Sequence, residues 1–189
     1  MLTDYRKPSE QILLDLVNYH NASNLARYGL DPIRGSDVLI GQPVIVDGVK
    51  TKVLITPRPT AQFVHPFWFT YNRVNLNRLL HFNQNTLIRD VDNSISRVSD
   101  VIQVVNARWQ INLDSFDYVD ADVDTAQYDV TLELNANARS LVWVGSVDLL
   151  ISRARPLADV IVNRDLLGFA LRDLAWYIKD RDLPGFTRV

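Results

Sequence analysis

Residues 128–153 read YDVTLELNANARSLVWVGSVDLLISR. Tyr128 to Leu134 alternates polar and apolar side chains, the period-two pattern of a strand buried on one face. Asn135-Ala136-Asn137-Ala138 supplies a polar turn. Leu141 to Ile151 is the return strand and ends at Ser152-Arg153. This is an antiparallel strand pair, and a lone pair is marginal in water. The stretch upstream offers the missing cover. Val98, Val101, Ile102, Val105 and Trp109 recur at helical spacing, and Ile111-Asn112-Leu113-Asp114 leads on to Asp120.

The same order of elements occurs once before. Ile12, Leu13, Leu16, Val17 and Tyr19 predict a helix ending near Asn18–His20, with Pro8 ahead of it and Glu10 in its first turn, both favourable start signals. Tyr28-Gly29-Leu30-Asp31 follows, then Asp37-Val38. Val49 to Thr56 (VKTKVLIT) predicts a strand, Pro57-Arg58-Pro59-Thr60 a turn, and Phe63 to Tyr71 (FVHPFWFTY) a return strand ending in Asn72-Arg73. An additional strand, Pro43 to Asp47, is joined to the next by Asp47-Gly48, a hairpin signal because both residues tolerate positive φ. Pro66 cannot donate to a ladder and belongs at an edge or bulge.

These patterns predict an α+β fold of two tandem related modules, each a helix packed on a small antiparallel sheet, plus a C-terminal helix. Chance similarity is the alternative to duplication. The expected divisions are 1–76 for the first module with its N-terminal arm, 77–96 for a connector, 97–156 for the second module, and 157–189 for the C-terminal helix and arm. In the connector region Leu79-Leu80 and Phe82 are read as a short packed turn. In the tail, Leu167, Leu171, Leu174, Trp176 and Ile178 share a helical face, and Pro184-Gly185 is the stop.

Composition narrows the class. The chain has 189 residues, 47% apolar and 22% charged, with a formal charge of −2. That suits one domain or two small ones and excludes intrinsic disorder. No apolar run reaches the roughly 18 residues of a spanning helix, the N-terminus is polar, and neither a membrane partner nor a secretory signal is expected. Near-neutral charge gives no general attraction to nucleic acid. There is no cysteine, hence no disulfide or thiolate chemistry. Asp outnumbers Glu 20 to 2 and Arg outnumbers Lys 16 to 4. Asp favours turns and caps, and Arg suits protein interfaces; lineage bias is the alternative source.

Catalytic motifs are absent. Asp114, Asp117, Asp120, Asp122 and Asp124 form the densest acidic stretch. Asp120, Asp122 and Asp124 match the opening ligands of a calcium loop, but the glycine and glutamate it needs later are Thr125 and Thr131. They are the candidate metal residues; a solvated face is the competing reading. His20, His65 and His81 lack metal-ligand spacing. There is no Gly-x-Ser-x-Gly elbow, phosphate loop or dinucleotide fingerprint. No catalytic residue and no cofactor is expected. A carboxylate pair is not excluded by spacing in the chain, so a small carboxylate hydrolase stays open. It requires a concave pocket holding at least two Asp with raised pKa.

The aromatic strands suggest binding instead. Phe67, Phe69 and Tyr71 face one way, which leaves Trp68 on the other face, as a protein contact, a core residue or a ligand platform, in that order of preference. Trp68, Arg73, Trp143 and Arg153 are the candidate interface residues. Trp68, Trp143 and the Asp stretch also keep a carbohydrate- or ligand-binding module open.

Leu141 to Ile151 resembles a return strand of the virion structural proteins of large tailed bacteriophages, which has the form aromatic, small residue, Gly-Ser-Val, then alternating apolar residues. Phe67-Trp68-Phe69-Thr70-Tyr71-Asn72-Arg73-Val74-Asn75-Leu76 resembles the Tyr-Asn-Arg plus apolar ending of the same strand. The helix carrying Asn18 or Asn106, followed by a Leu-Asp loop, is similar to those proteins too. The likeness covers Ser9 to Leu157; the first copy departs from it, with His65-Pro66-Phe67 in place of Gly-Ser-Val. The resemblance implies a non-enzymatic virion component whose partners are other virion proteins and copies of itself. Tail, baseplate, neck and capsid surface are all open, with tail, baseplate or neck favoured. No functional residue carries over.

Overall fold

The computed structural model describes residues 3–46, 50–81 and 86–156. The chain divides into Met1–Ala154 and Arg155–Val189. Everything below concerns the first unit. The expected C-terminal helix and arm, 157–189, lie outside the described residues, as does the Asp47-Gly48 turn.

Helix α1 (Ser9–Arg27) starts behind Pro8, with Glu10 in its first turn and Arg27 in its last, both favourable to the helix dipole. It runs well past the end expected near His20. The residues after His20 (NASNLAR) carry no apolar stripe but contain no breaker, so the helix continues to Arg27 and closes on Gly29 at φ +64°. Gly29 N–H bonds Ala26 O at 3.2 Å and Leu30 N–H bonds Leu25 O at 2.9 Å, the paired closure that favours glycine.

Strands β1 (Val38–Ile40), β2 (Val44–Val46), β3 (Lys50–Pro57) and β4 (Phe67–Tyr71) make the first sheet. Strand β3 is central: β4 lies on one side, and β1 and β2 share the other. Gly41-Gln42-Pro43 breaks that shared edge. Gly41 N–H still reaches Leu54 O at 2.8 Å, and a Cβ at Gly41 would lie 3.3 Å from that oxygen. The return strand is shorter than expected, beginning at Phe67 and not Phe63, because Pro66 cannot extend the ladder. Val38 begins a strand where a loop was expected.

The segment read as a connector is structured. Strand β5 (Val74–Asn75) and helix α2 (Leu76–His81) precede β6 (Leu87–Asp90), helix α3 (Val98–Trp109), β7 (Asp129–Asn135), β8 (Trp143–Val144) and β9 (Ser146–Arg153). Strand β5 pairs in parallel with β8. Strand β9 is flanked by β7, antiparallel, and by β6, parallel. The all-antiparallel expectation is therefore corrected. Strands β5 and β6 are too short to show a period in the sequence, yet Leu76, Leu80 and Ile88 are fully buried. The α+β class stands.

Two cores result. Leu13, Leu14 and Val17 of α1 cover Val53, Ile55 and Tyr71 of the first sheet. Val101, Ile102 and Val105 of α3 cover Leu132, Leu134, Leu149 and Ile151 of the second sheet, β6–β9–β7, together with Trp143 and Ile12. Since successive strand residues point to opposite faces, the alternate residues of both sheets face outward.

One hydrogen-bonded arrangement occurs in each half. The Asn18 side chain donates to Ile33 O at 2.9 Å and accepts from Ile33 N at 2.8 Å. The Asn106 side chain does the same with Leu113, at 3.0 and 2.9 Å. Four residues after each clamped residue an Asp closes the loop. Asp37 accepts from Arg34 N at 3.0 Å, and Asp117 accepts from Asp114 N at 3.3 Å. The backbone carbonyls of Asp37 and Asp117 then accept from Arg58 N and Asn137 N, both at 2.8 Å. The Asp that corresponds to Asp37 is thus Asp117, three residues before the expected Asp120.

Candidate functional site

Two places merit chemical scrutiny: a cleft at the seam between the halves and the outward faces of the sheets. The cleft, about 340 Å³, is bordered by the first turn of α1, the Gly41–Pro43 break and the loops around Asp117 and Ser140. Asp117 is 2% exposed. It accepts Ser9 Oγ–H, whose oxygen lies 2.8 Å from both carboxylate oxygens, and Ser140 Oγ–H at 2.5 Å. Burial pushes its pKa above the ordinary 3.8, and the two hydroxyls oppose that shift. Ser140 Oγ in turn accepts Trp143 N–H at 3.0 Å. Both serine protons are committed to Asp117, so the cluster acts as a polar pin. Asp114 also borders the cleft but is exposed. Neither His20 nor His65 is among its lining residues.

The seam also claims two residues expected to face other chains. Arg73 donates from Nε to Thr51 Oγ1 at 3.1 Å and from Nη1 to the carbonyls of Ala138 and Ser140, both at 3.1 Å. It joins the halves of one chain and stays half-buried. Trp143 is fully buried, 5.6 Å from the Tyr5 ring, so it is neither an interface residue nor a stacking platform. Beside them Tyr71 O–H donates to Leu141 O at 2.7 Å, and burial lifts its pKa to about 12.

Arg153 turns inward. It is 7% exposed and lies 3.3 Å from Asp90 in a buried ion pair. It also donates to the carbonyls of Ile95, Asp124 and Gln127 at 2.8, 2.6 and 2.8 Å. Five donors in a planar fork suit this role. The candidate metal residues do not converge. Asp120 accepts Ser99 N–H and pairs with Arg97 at 3.1 Å; Asp122 lies 3.7 Å from Arg97. Asp124 accepts Ala126 N–H at 2.8 Å. Among the described residues no group of three metal-binding side chains is assembled. Arg97 and backbone N–H groups take these carboxylates.

Trp68 alone of the four candidates stands on the surface, 54% exposed, with Lys52 Nζ 4.9 Å from its ring centroid. Across the sheet it opposes Leu54. Leu39 and Val44, 52% and 46% exposed, widen the apolar face. The corresponding face of the second sheet is acidic, with Asp129, Glu133 and Asp148 outward. Reading the sequence had singled out none of Lys50, Lys52, Glu133 or Asp148. The signal was the polar half of each period-two strand, which had served only to identify the strands. Among the described residues no helix is long and apolar enough to cross a membrane.

No curated protein and no solved structure matches the chain. One family model does, over residues 2–174. That span takes in both cores, the seam and both outward faces, so the chain belongs to the family of unknown function (DUF7941).

Proposed function

We propose that this chain is a non-enzymatic structural component of a bacteriophage virion, in the tail, baseplate or neck, and that it works through contacts between subunits. The outward face of the first sheet carries the reading. Large apolar side chains held on strands and left in water mark protein contact sites, and Trp68 with Leu39 and Val44 forms such a face. The likeness of the Leu141–Ile151 strand to phage virion proteins supports it.

We further read the two halves as tandem related modules. Asn18 and Asn106, Asp37 and Asp117, and Arg58 and Asn137 occupy corresponding places. Two modules in tandem suit a subunit of a ring, where neighbouring copies repeat one contact.

Mass spectrometry of gradient-purified particles of the phage that encodes this chain tests the reading. The chain should be present at fixed stoichiometry and resist a high-salt wash. Its absence from washed particles would overturn the proposal. Genes for sheath, tube or portal proteins beside its own are the expected neighbourhood.

A further inference from the structure

The outward faces of the two larger sheets are complementary. Directly paired residues of antiparallel strands share a face, so each face can be read as rows. The first sheet presents Leu54 with Trp68, then Lys52 with Thr70 and Val44, then Lys50 with Val46. The second presents Glu133 with Asp148, then Thr131 with Leu150 and Leu87, then Asp129 with Ser152 and Arg89. Row spacing is two residues along a strand, about 6.7 Å, in both sheets.

Among the described residues Lys50 and Lys52 have no carboxylate at salt-bridge distance, and Glu133 and Asp148 have no cation. Glu133 and Asp148 stand directly opposite on neighbouring strands, an arrangement that is unfavourable by itself. Arg89 is on the same face but four residues along, in the Asp129 row. Leu150, 42% exposed, is the apolar centre of this acidic face.

We propose that copies of this chain associate head to tail, with the lysine and tryptophan face of one first sheet seated on the acidic face of another copy's second sheet. The inference rests on the assembly reading and names the surfaces and the partner. Setting the Lys52 row over the Glu133–Asp148 row brings the Leu54–Trp68 row over the Leu150–Leu87 row. One displacement therefore sets Lys52 over the carboxylate pair and the apolar rows over each other, with Lys50 one row away, above Asn135 and Ser146. Like faces would bring lysine to lysine or carboxylate to carboxylate, which disfavours the symmetric alternatives. A contact between two different faces propagates, closing as a ring or extending as a filament.

The experiment is sedimentation of the full-length chain over a concentration series at low and high salt. Wild type should associate, and more weakly at high salt. Lys50→Glu with Lys52→Glu should weaken association about tenfold or more, as should Glu133→Lys with Asp148→Lys. All four substitutions in one chain should restore it. Circular dichroism and the urea midpoint of each variant check folding, which these outward side chains should leave unchanged. A wild type that stays monomeric throughout overturns the inference. So does a second-sheet swap without effect, which would point to first-sheet faces pairing with each other. A monomer that is nonetheless a fixed part of washed particles would leave the virion reading standing and give the face to another virion protein. Head-to-tail growth by a chain absent from particles would sink that reading and leave this contact intact.

Discussion

Ser9 and Asp117, 108 positions apart in the chain, meet through a hydroxyl–carboxylate hydrogen bond of 2.8 Å at the seam between the halves. Ser140 Oγ donates to the same carboxylate. Helix α1 thereby begins on a group that belongs to the opposite half. The seam is a polar lock beside two apolar cores.

Asp117 makes stability depend on pH in a defined direction. Its pKa is raised in the folded chain. Folding therefore favours the protonated form, and the contribution of this group is fully present below the ordinary carboxylate value and lost as pH rises through the folded value. Urea unfolding of wild type and Asp117→Asn across the acidic range should show it. The stability of wild type relative to the variant should grow as pH falls, since Asn cannot ionise. A difference that shrinks on acidification would contradict this.

Asn18 and Asn106 each hold both polar groups of one backbone residue. Alanine at either position leaves an N–H and a C=O without that partner. The expected loss is about 1–3 kcal/mol each, read from the urea midpoint. Aspartate in their place should rescue only half of the contact, because it accepts but does not donate when ionised.

Arg153 is costly to remove. Arg153→Ala strands the buried Asp90 carboxylate, and breaking a buried pair from one side costs about 3–5 kcal/mol. Lysine should not restore stability, because one ammonium cannot serve the carboxylate and the carbonyls of Ile95, Asp124 and Gln127 together. Thermal unfolding of both variants tests this. A fully stable Arg153→Lys chain would show that the fork geometry is unimportant.

Gly29 and Gly145 separate backbone strain from crowding. Both have positive φ, +64° and +82°. A Cβ at Gly29 meets nothing within 4 Å, whereas one at Gly145 falls 3.0 Å from Asn75 Nδ2. Gly29→Ala should cost about 1 kcal/mol from conformation alone, and Gly145→Ala more. In the Asn75→Ala background the two glycine variants should converge.

The hairpins and helices were legible wherever apolar side chains repeat at a clear period. YDVTLEL and VKTKVLIT announced β7 and β3 by alternation, and Val98 to Trp109 announced α3 within its true limits. What failed to show was long-range. Strands β5 and β6 are short and gain their identity from β8 and β9, whose positions no local pattern reveals. Arg73 and Arg153 were noticed as chemically apt for contacts, and they do make contacts, but inside the chain. Sequence gives the valence of a guanidinium and not the address of its acceptors. Trp143 shows the same limit, since an aromatic on a strand reads alike on either face until the helix above it is placed. Asn18 and Asn106 make like clamps, and the Asp that closes the second loop, Asp117, lies three residues before the Asp120 that the Leu-Asp pattern suggests.

The placement of β9 at the centre of its sheet has a consequence for synthesis. The first sheet is complete once Tyr71 has left the ribosome, because β4 is its last strand. The second cannot close until Arg153 emerges, since β6 and β7 both wait for β9. A nascent chain stalled anywhere between those two points carries one finished half and a second half whose apolar strands have no template, and it is in that interval that chaperones would find their substrate.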